Sequence, residues 1–366
     1  MGSQVPIGRR NILADKVKFV LALGGVTLAV LLILVVQSLY AGVQRESASF
    51  IRSLPGNVWV AQQGVAGLTF SNSFLTEDHA ATISSIDGVN AVHRLDGRLT
   101  EFNFNGRSVR TYVWALTTGA DPDPGEQRFL PQPGTIFVDR ALAKGDGLNR
   151  GDQLVYDGTP FTVTEIGNMG NVLIAQFAFI HPDDYNRLLG VIGAANFFLV
   201  DARDDKTLNV IEEITGEIDG VDAFTTEQFV EVAEEATRIF LPLIRVVTVI
   251  SFIVGLALLS LTIYSATIER SREYAVMKVL GASPARLYGI VLGQSAIITG
   301  LGFAIGVGFA YVFNYTAEDF VPEFVTFIRW QDVLLTFGIV AVMGIVASFL
   351  PINRVARVEP ASIFRA

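Results

Sequence analysis

Four long runs of apolar residues interrupt an otherwise mixed sequence. None of them contains Asp, Glu, Lys or Arg, and they are Phe19–Gln44, Val246–Ile268, Leu287–Ala317 and Val333–Asn353. The shortest run has 21 residues. At about 1.5 Å per helical residue, each can cross a hydrocarbon core of about 30 Å. The pattern predicts four transmembrane helices, which we place at residues 19–44, 243–268, 287–317 and 333–353.

The first apolar run follows Arg9, Arg10, Lys16 and Lys18, as the core of a cleaved signal peptide would. A signal peptide, however, has an apolar core of only about 7 to 15 residues and a small-residue cleavage site. This run is longer and is not followed by such a site, so we expect an uncleaved helix.

Basic residues are distributed unevenly around the four runs, and this asymmetry predicts orientation. Residues 1–18, 269–286 and 354–366 together hold eleven Lys and Arg residues against four Asp and Glu residues. By the positive-inside rule they are an amphipathic cytoplasmic N-terminus, a cytoplasmic loop and a cytoplasmic tail. We expect a multi-pass protein of the cell (inner or plasma) membrane with both termini in the cytoplasm.

The segments predicted to lie outside are acidic. Residues 45–242 contain 14 basic and 28 acidic residues, and the short loop 318–332 contains four acidic residues and Arg329. The net charge of −9 therefore comes from the external part of the chain. This distribution argues against a nucleic-acid partner. The chain has no cysteine, so cysteine usage gives no information about the redox compartment.

Residues 45–242 are long enough for a folded domain, and their pattern predicts mixed α and β structure. Alternating apolar segments flank Asn105-Gly106 and Asp157-Gly158, which are strong signals for β-hairpins. The sequence IDGVNA at 86–91 recurs as IDGVDA at 218–223, each after a helix-like stretch. Two such units predict a ferredoxin-like half with residues 133–180 inserted, although chance recurrence of a common turn explains the repeat as well.

The predicted fold class is thus an α-helical integral membrane protein of four helices, with an α+β extracytoplasmic domain inserted between helices one and two. Both ends of that domain carry helical signals. The first apolar run continues without a helix breaker as far as Pro55, and Thr225-x-x-Gln228 resembles a capping box opening a second helix. We expect both membrane helices to extend outward as stalks, with Pro242 kinking the second.

The loop at 269–286, ERSREYAVMKVLGASPAR, concentrates charge between two apolar runs. The pairs Glu269/Arg272 and Arg270/Glu273 have i, i+3 spacing and can form salt bridges on a helix surface. Apolar Ala275, Val276, Val279 and Leu280 give this helix a face that can contact another protein. Gly281 is suited to the left-handed position after a helix, and Ser283-Pro284 to the start of the next. The loop is either a solvated turn or a docking element.

This loop resembles the cytoplasmic signature of the FtsX/MacB-like ABC transporter permeases, roughly E-R-x-R-E-x-x-x-x-[KR]-x-L-G-A-S. The tail PINRVARVEPASIFRA is similar to that family's closing pattern, with Pro351, Arg354, Pro360 and Arg365 in place and Val355 where a small residue is usual. GRRNILADKVKF resembles its amphipathic entry helix, and GTIFVDRALAKGDGLNRGDQLVYDGTPFTVTEIG its external domain. The resemblance covers nearly the whole chain.

The resemblance implies mechanotransmission. In that family two permease chains pair in the membrane, as a homodimer or with a paralogue, and each rests on an ABC ATPase subunit. ATP and magnesium belong to that ATPase, whose motion passes through the cytoplasmic loop to the external domains. The implied coupling residues are Glu269, Arg270, Arg272, Glu273, Met277, Lys278, Leu280, Gly281, Ser283 and Pro284.

Further partners implied by the resemblance are membrane lipids and an extracytoplasmic adaptor or hydrolase. The preferred function is the permease subunit of an exporter or of a pump that handles lipids, lipoproteins or hydrophobic compounds. The alternative is an FtsX-type regulator that activates an external cell-wall hydrolase. A membrane scaffold without an ATPase explains the cytoplasmic signature least well. The large external domain favours the exporter.

The third membrane run contains Gly302-x-x-x-Gly306 with Gly308, a small-residue face that permits close helix approach. It suits either a dimer seam or packing within one chain. The four apolar runs hold no ionisable residue, whereas a polar transport path usually contains some.

No catalytic, cofactor or metal site emerges from the sequence, and we expect no enzyme activity in this chain. A Walker A loop requires Gly-Lys, and no such pair occurs. His79, His93 and His181 lack the spacing of metal ligands. The acidic stretches DPDPGE (121–126) and DARDD (201–205) lack the register of an EF-hand, so we interpret them as solvated loops.

Overall fold

The computed structural model describes residues 16–65, 67–68, 73–118, 127–171, 176–189 and 193–356. Most of the predicted amphipathic N-terminus (1–18), most of the tail (354–366) and the acidic stretch 121–126 lie outside the described residues. Contacts within the chain divide it into two compact units. The α/β unit comprises Tyr40–Ile239 and Ala317–Thr326, and the helical unit comprises the described residues of Met1–Leu39, Phe240–Thr316 and Phe327–Ala366.

Ten α-helices occur in the described residues. They are α1 (Lys16–Ser53), α2 (Glu77–Ser85), α3 (Arg140–Asp146), α4 (Pro182–Leu188), α5 (Thr207–Glu217), α6 (Thr226–Ala236), α7 (Leu241–Glu269), α8 (Ser271–Val279), α9 (Pro284–Phe320) and α10 (Trp330–Ala356). The strands are β1 (Val58–Gln62), β2 (Leu75–Thr76), β3 (Val89–Phe104), β4 (Arg107–Thr117), β5 (Thr135–Asp139), β6 (Gln153–Tyr156), β7 (Thr159–Gly167), β8 (Phe177–Ile180), β9 (Ala194–Ala195), β10 (Phe197–Ala202) and β11 (Val221–Thr225).

The helical unit is built from α1, α7, α9 and α10, which contain the four apolar runs. Among the described residues, four helical segments are long and apolar enough to span a membrane. Their inward faces form one core around Val26, Leu259, Val291 and Met343. Most of their remaining large apolar side chains are exposed, as expected of side chains that face lipid. The predicted fold class, four membrane helices with an α/β domain between the first and second, is confirmed.

The first membrane helix is uninterrupted, whereas a short 3₁₀ turn precedes the second. Helix α1 is continuous from Lys16 to Ser53. By contrast, α6 ends at Ala236, a 3₁₀ turn covers Thr237–Phe240, and Pro242 lies in the first turn of α7. The predicted capping box opens α6: the Gln228 N–H donates to Thr225 Oγ1 (3.2 Å), and the Thr225 N–H donates to Gln228 Oε1 (2.9 Å).

The first half of the α/β unit has the predicted ferredoxin-like order. Strands β11, β1, β10 and β3 are neighbours in that sequence, all antiparallel, and number 4-1-3-2 within the half. The repeated IDGV segments each follow a helix, α2 or α5, and lead into a strand, β3 or β11. Ile83, Val210 and Ile214 from these helices pack against one face of the sheet. The repeat is therefore a repeated helix-turn-strand unit.

The second half continues the sheet through β4, β8, β5, β7 and β6. A pairing of Asn103 with Val155 returns β6 to the long strand β3, which closes these strands into a small barrel. Both predicted hairpins are present, and Asn105 and Asp157 adopt left-handed φ angles of 51° and 46°. Such angles are those of the two-residue turns that Asn-Gly and Asp-Gly favour.

The other face of the sheet buries the helices that continue toward the membrane runs. Phe50 and Leu54, near the end of α1, share a core with Trp59 and Trp114 of the strands. Phe229 of α6 joins the same core and stacks on Trp59, with ring centroids 4.4 Å apart. The end of α1 and helix α6 are thus structural parts of the α/β unit.

Candidate functional site

The link between α7 and α9 is held in a defined turn. Helix α8 ends with a Schellman arrangement, in which the Ala282 N–H donates to Met277 O (2.9 Å) and the Gly281 N–H to Lys278 O (3.1 Å). Gly281 adopts φ +87°, the left-handed conformation in which glycine carries no steric penalty. The Arg286 N–H then donates to Ser283 O at the start of α9 (3.0 Å). One helix ends at Val279 and the next begins at Pro284, with four residues between them.

An apolar anchor fixes α8 against α9. Tyr274 and Ala275 are buried on α8, and Tyr274 packs against buried Leu287 of α9. Met277 and Ile290 are partly buried around this contact. Burial raises the pKa of Tyr274, so its hydroxyl remains protonated over the physiological range. The anchor fixes which side of α8 faces away from the helical unit.

That outward side carries three exposed apolar residues. Val276, Val279 and Leu280 follow i, i+3, i+4 spacing, and Leu280 is 81% exposed and Val279 61% exposed. The predicted apolar face also included Ala275, and there the prediction is wrong, because Ala275 is fully buried. We call Val276, Val279 and Leu280 the α8 apolar face.

The charged residues of the link are arranged differently from the expectation. Arg270 lies 4.0 Å from Glu273, as the i, i+3 spacing predicts. Glu269, however, pairs with Lys18 at the start of α1, so the predicted Glu269/Arg272 pair is wrong. A sequence pattern within one helix could not reveal a partner that lies on another helix. The Lys18–Glu269 pair joins the ends of α1 and α7.

The remaining residues of the predicted coupling set lie along the same link. Arg272, Glu273, Gly281 and Ser283 are exposed. Arg270, Met277 and Lys278 are half-buried. Pro284 is the first residue of α9. The structure therefore brings the coupling residues together on one short segment, and their role in coupling stays a prediction.

The small-residue face of α9 packs within the chain. A Cβ atom added to Gly302 would lie 2.7 Å from Val26 Cγ1, and one added to Gly306 would lie 2.6 Å from Val30 Cβ. Both glycines thus allow α1 to approach α9 closely. Gly308 is different, because a Cβ there would meet nothing within 4 Å. Of the two interpretations, this placement favours intrachain packing for Gly302 and Gly306.

The α/β unit contains one contact that the sequence did not suggest. The segment Ala317–Thr326, which follows the apolar part of α9, belongs to this unit. Lys144 Nζ on α3 donates to Asp319 Oδ1 (2.7 Å) and to Glu318 O (2.9 Å), and Asn171 Nδ2 donates to Glu323 O (3.2 Å). We call Ala317–Thr326 the clasp segment.

The clasp segment also contacts the part of α1 that lies in the α/β unit. A Cβ on Gly42 would lie only 2.0 Å from Val325 O, so glycine is required for this approach. Further along α1, Arg52 donates to both Glu227 carboxylate oxygens of α6, at 3.0 and 2.7 Å. Within the α/β unit, the end of α1 is therefore contacted by two segments that are distant from it in sequence.

Metal chemistry finds no support among the residues that the structure describes. No group of three or more His, Asp or Glu residues there is close enough to hold an ion. His181 caps α4, where its Nδ1 accepts from the Asp183 N–H (3.2 Å), and His93 is buried on β3. The stretch 201–205 ends strand β10, and its Arg203 pairs with Asp87 (3.3 Å).

Two family models match the chain. The model of the MacB-like periplasmic core domain matches residues 19–217, and that of the FtsX-like permease C-terminal matches residues 245–360. The chain therefore belongs to the FtsX/MacB-like family of ABC transporter permeases, and the resemblance drawn from the sequence is confirmed. It is a multi-pass membrane protein of a class that works with an ATPase partner.

Individual relatives agree with this assignment. The putative hemin transport system permease protein HrtB of Staphylococcus epidermidis is 21% identical over 94% of this chain and 95% of its own length. The macrolide export ATP-binding/permease protein MacB of Chromobacterium violaceum is 25% identical over 44% of this chain and 26% of its own. The solved periplasmic region of MacB from Actinobacillus actinomycetemcomitans is 12% identical, covers 50% of this chain and 95% of that chain, and gives a TM-score of 0.35. The two named relatives, a hemin transport permease and a macrolide export permease, do not favour the FtsX-type regulator.

Proposed function

We propose that this chain is the transmembrane subunit of an ABC exporter and that it receives the motion of a separate ATPase through the link between α7 and α9. The observation that carries the proposal is the α8 apolar face. Exposed apolar side chains that lie together on a short, charged, polar-flanked helix are typical of a docking surface. The Tyr274 anchor supports this role, because its contact with Leu287 can transmit a force on α8 directly to α9.

Helices α1 and α9 continue along the chain from the helical unit into the α/β unit. Helix α1 has no break between Lys16 and Ser53, and its end is buried in the core of the α/β unit through Phe50 and Leu54. The clasp segment continues from α9 and is held by Lys144 and Asn171. A displacement of α1 or α9 therefore acts on the α/β unit at two places.

The cargo we propose is an amphipathic or hydrophobic compound. Relatives carry names that refer to hemin transport, macrolide export and syringafactin export. The apolar character of all four membrane helices suits a protein that moves such molecules by displacing its α/β unit rather than by conducting them along a polar path. We further propose that two permease chains pair and that catalysis of ATP hydrolysis lies in the partner ATPase.

A single charge on the α8 apolar face tests the proposal. Leu280→Glu should weaken co-purification of the full chain with its partner ATPase. Loss of a buried leucine contact costs about 1.5 to 3 kcal/mol, which corresponds to roughly 10- to 100-fold in affinity. Leu208→Glu is the matched control, because Leu208 is a 71% exposed leucine of α5 in the α/β unit.

Expression and thermal stability of both variants should equal those of the parent, because both side chains are solvent-exposed. The proposal requires ATPase binding to fall for Leu280→Glu and to stay unchanged for Leu208→Glu. Equal binding by both variants and the parent would show that α8 is a solvated turn and not the docking element.

A further inference from the structure

A cavity of about 280 Å³ lies in the α/β unit between strand β3, helix α4 and the β9–β10 junction. Its polar lining includes Asp96, Arg98, Tyr185 and Asn196, and apolar walls come from Phe74, Leu189 and Ala195. Ligand sites commonly combine apolar walls with a few convergent polar groups, and those for drug-sized molecules measure about 300 to 1,000 Å³. This cavity, which we call the Asp96 pocket, is slightly smaller than the lower end of that range.

Local hydrogen bonds hold Asp96 in place. The Asn196 N–H donates to Asp96 Oδ1 (3.3 Å), while Asn196 Oδ1 accepts from the Gly97 N–H (2.8 Å) and Asn196 Nδ2 donates to Ser73 O (2.8 Å). Gly97 packs directly against Trp114, because a Cβ at this position would lie 2.2 Å from the Trp114 ring. Asn196 therefore ties β3 to the start of β10 and orients the carboxylate beside the cavity.

The linked charges of Arg94, Asp96 and Glu77 sum to a net negative charge. Arg94 Nε donates to Asp96 Oδ2 (2.6 Å), but the same guanidinium also pairs with Glu77 (3.2 Å) and donates to Ala194 O (2.6 Å). One guanidinium thus forms ion pairs with two carboxylates. Asp96 is only 4% exposed, and burial raises its pKa although Arg94 opposes the shift. A buried carboxylate in this state is stabilised by an added cation.

Tyr185 supplies a hydrogen-bonding group beside this carboxylate. Burial, followed by the charge of Asp96, raises the pKa of Tyr185, so the phenol stays protonated. Its side chain lines the cavity, and no hydrogen bond joins its hydroxyl to another residue within the described ranges. Arg98 also lines the cavity, and this exposed residue donates to Leu189 O (3.3 Å).

We propose that the Asp96 pocket binds a compact amphiphile with a protonated amine, whose ammonium group pairs with Asp96 and whose apolar body packs on Phe74, Leu189 and Ala195. The surroundings favour a cation further, because residues 45–242 contain twice as many acidic as basic residues. The site is independent of ATPase docking, since it lies wholly within the α/β unit.

Three indole probes of similar size distinguish the possible occupants: tryptamine carries a positive charge, tryptophol none, and indole-3-propionate a negative charge. Binding to the full chain in nanodiscs is measured by equilibrium dialysis, with empty nanodiscs as the reference for partition into lipid. We expect tryptamine to bind at least about tenfold more tightly than tryptophol. One charge pair at a partly buried site contributes about this much to the affinity. Indole-3-propionate should not bind above the reference.

Two variants locate the site. Asp96→Asn should reduce tryptamine affinity to that of tryptophol and leave tryptophol unchanged, whereas Asp87→Asn, at an exposed carboxylate of the same unit, should change neither. Phe74→Ala, at a side chain that is 56% exposed and so tolerant of truncation, should weaken both probes several-fold. If Asp96→Asn fails to fold, the probe series with the parent and Phe74→Ala still tests whether the Asp96 pocket binds the cationic probe. Equal binding of the three probes, or tryptamine binding that Phe74→Ala leaves unchanged, would overturn the proposal.

Discussion

Substitution of Gly281 changes the backbone geometry of the α8–α9 turn and leaves the side-chain contacts of the link unchanged. A Cβ at Gly281 would meet no atom within 4 Å, so a substitution acts only through the backbone, which is held at φ +87°. Left-handed backbone costs an L-residue about 1 to 2 kcal/mol, less for Asn and more for a β-branched residue. We therefore expect a graded series of strain, in which Gly281→Asn is mildest, Gly281→Ala costs about 1 kcal/mol and Gly281→Val costs about 2 kcal/mol or more.

The strain is relieved if the residue leaves the left-handed region, and α8 then changes its direction relative to α9. The assay is ATP turnover by the partner ATPase in complex with each variant, together with co-purification and thermal stability of the full chain. Turnover in the complex should fall in the order Asn, Ala, Val. Insertion should change little, because neither charge nor apolar content changes appreciably, and stability should fall by no more than the backbone strain at this exposed turn.

Gly289→Ala is the matched control. Gly289 is inside α9, its added Cβ would also meet nothing within 4 Å, and its φ is not positive. Alanine there should retain full activity, since it improves helix propensity by about 1 kcal/mol. The reasoning is refuted if Gly281→Val supports normal turnover, or if Gly281→Asn is as damaging as Gly281→Val.

Three further predictions concern packing, topology and assembly. Gly306→Ala should lower the stability of the full chain by about 1 to 3 kcal/mol through overpacking against α1, whereas Gly308→Ala should leave the melting temperature unchanged; equal effects would contradict intrachain packing at Gly306. A reporter fused after Gly220 should be found outside the cell membrane and reporters after Ala282 and Ala366 inside, and an external C-terminus would reverse the predicted orientation. The purified chain should be a homodimer or pair with a paralogue and should hydrolyse no ATP by itself, so robust turnover by the isolated chain would reveal an active site in it.

Features governed by neighbours in sequence could be predicted from sequence alone. The four membrane helices follow from uninterrupted apolar runs, and the hairpins at Asn105 and Asp157 follow from the residue pairs that their turns require. The capping box at Thr225 and the left-handed Gly281 are equally local. In each case a few consecutive residues contain the whole physical reason for the structure.

Features that depend on tertiary packing could not be predicted. The Lys18–Glu269 pair joins two helices separated by more than two hundred residues, and nothing in the local charge pattern distinguishes it from the expected Glu269/Arg272 pair. The burial of Ala275 depends on which side of α8 the Tyr274 anchor selects. The Asp96 pocket is formed by several segments that meet only in the folded unit, and each of its residues is ordinary in its own stretch of sequence.

The absence of cysteine from the sequence allows the central claim, that α8 contacts the ATPase, to be tested directly. A single cysteine at Leu280, labelled with a photoactivatable benzophenone, is illuminated in the complex of permease and ATPase, and the same label at Leu208 serves as the control. The account predicts a cross-link to the ATPase from position 280 that changes in yield between the nucleotide-free and ATP-bound complexes, and none from position 208. A complex that is intact but gives no ATPase cross-link from position 280 would contradict the account.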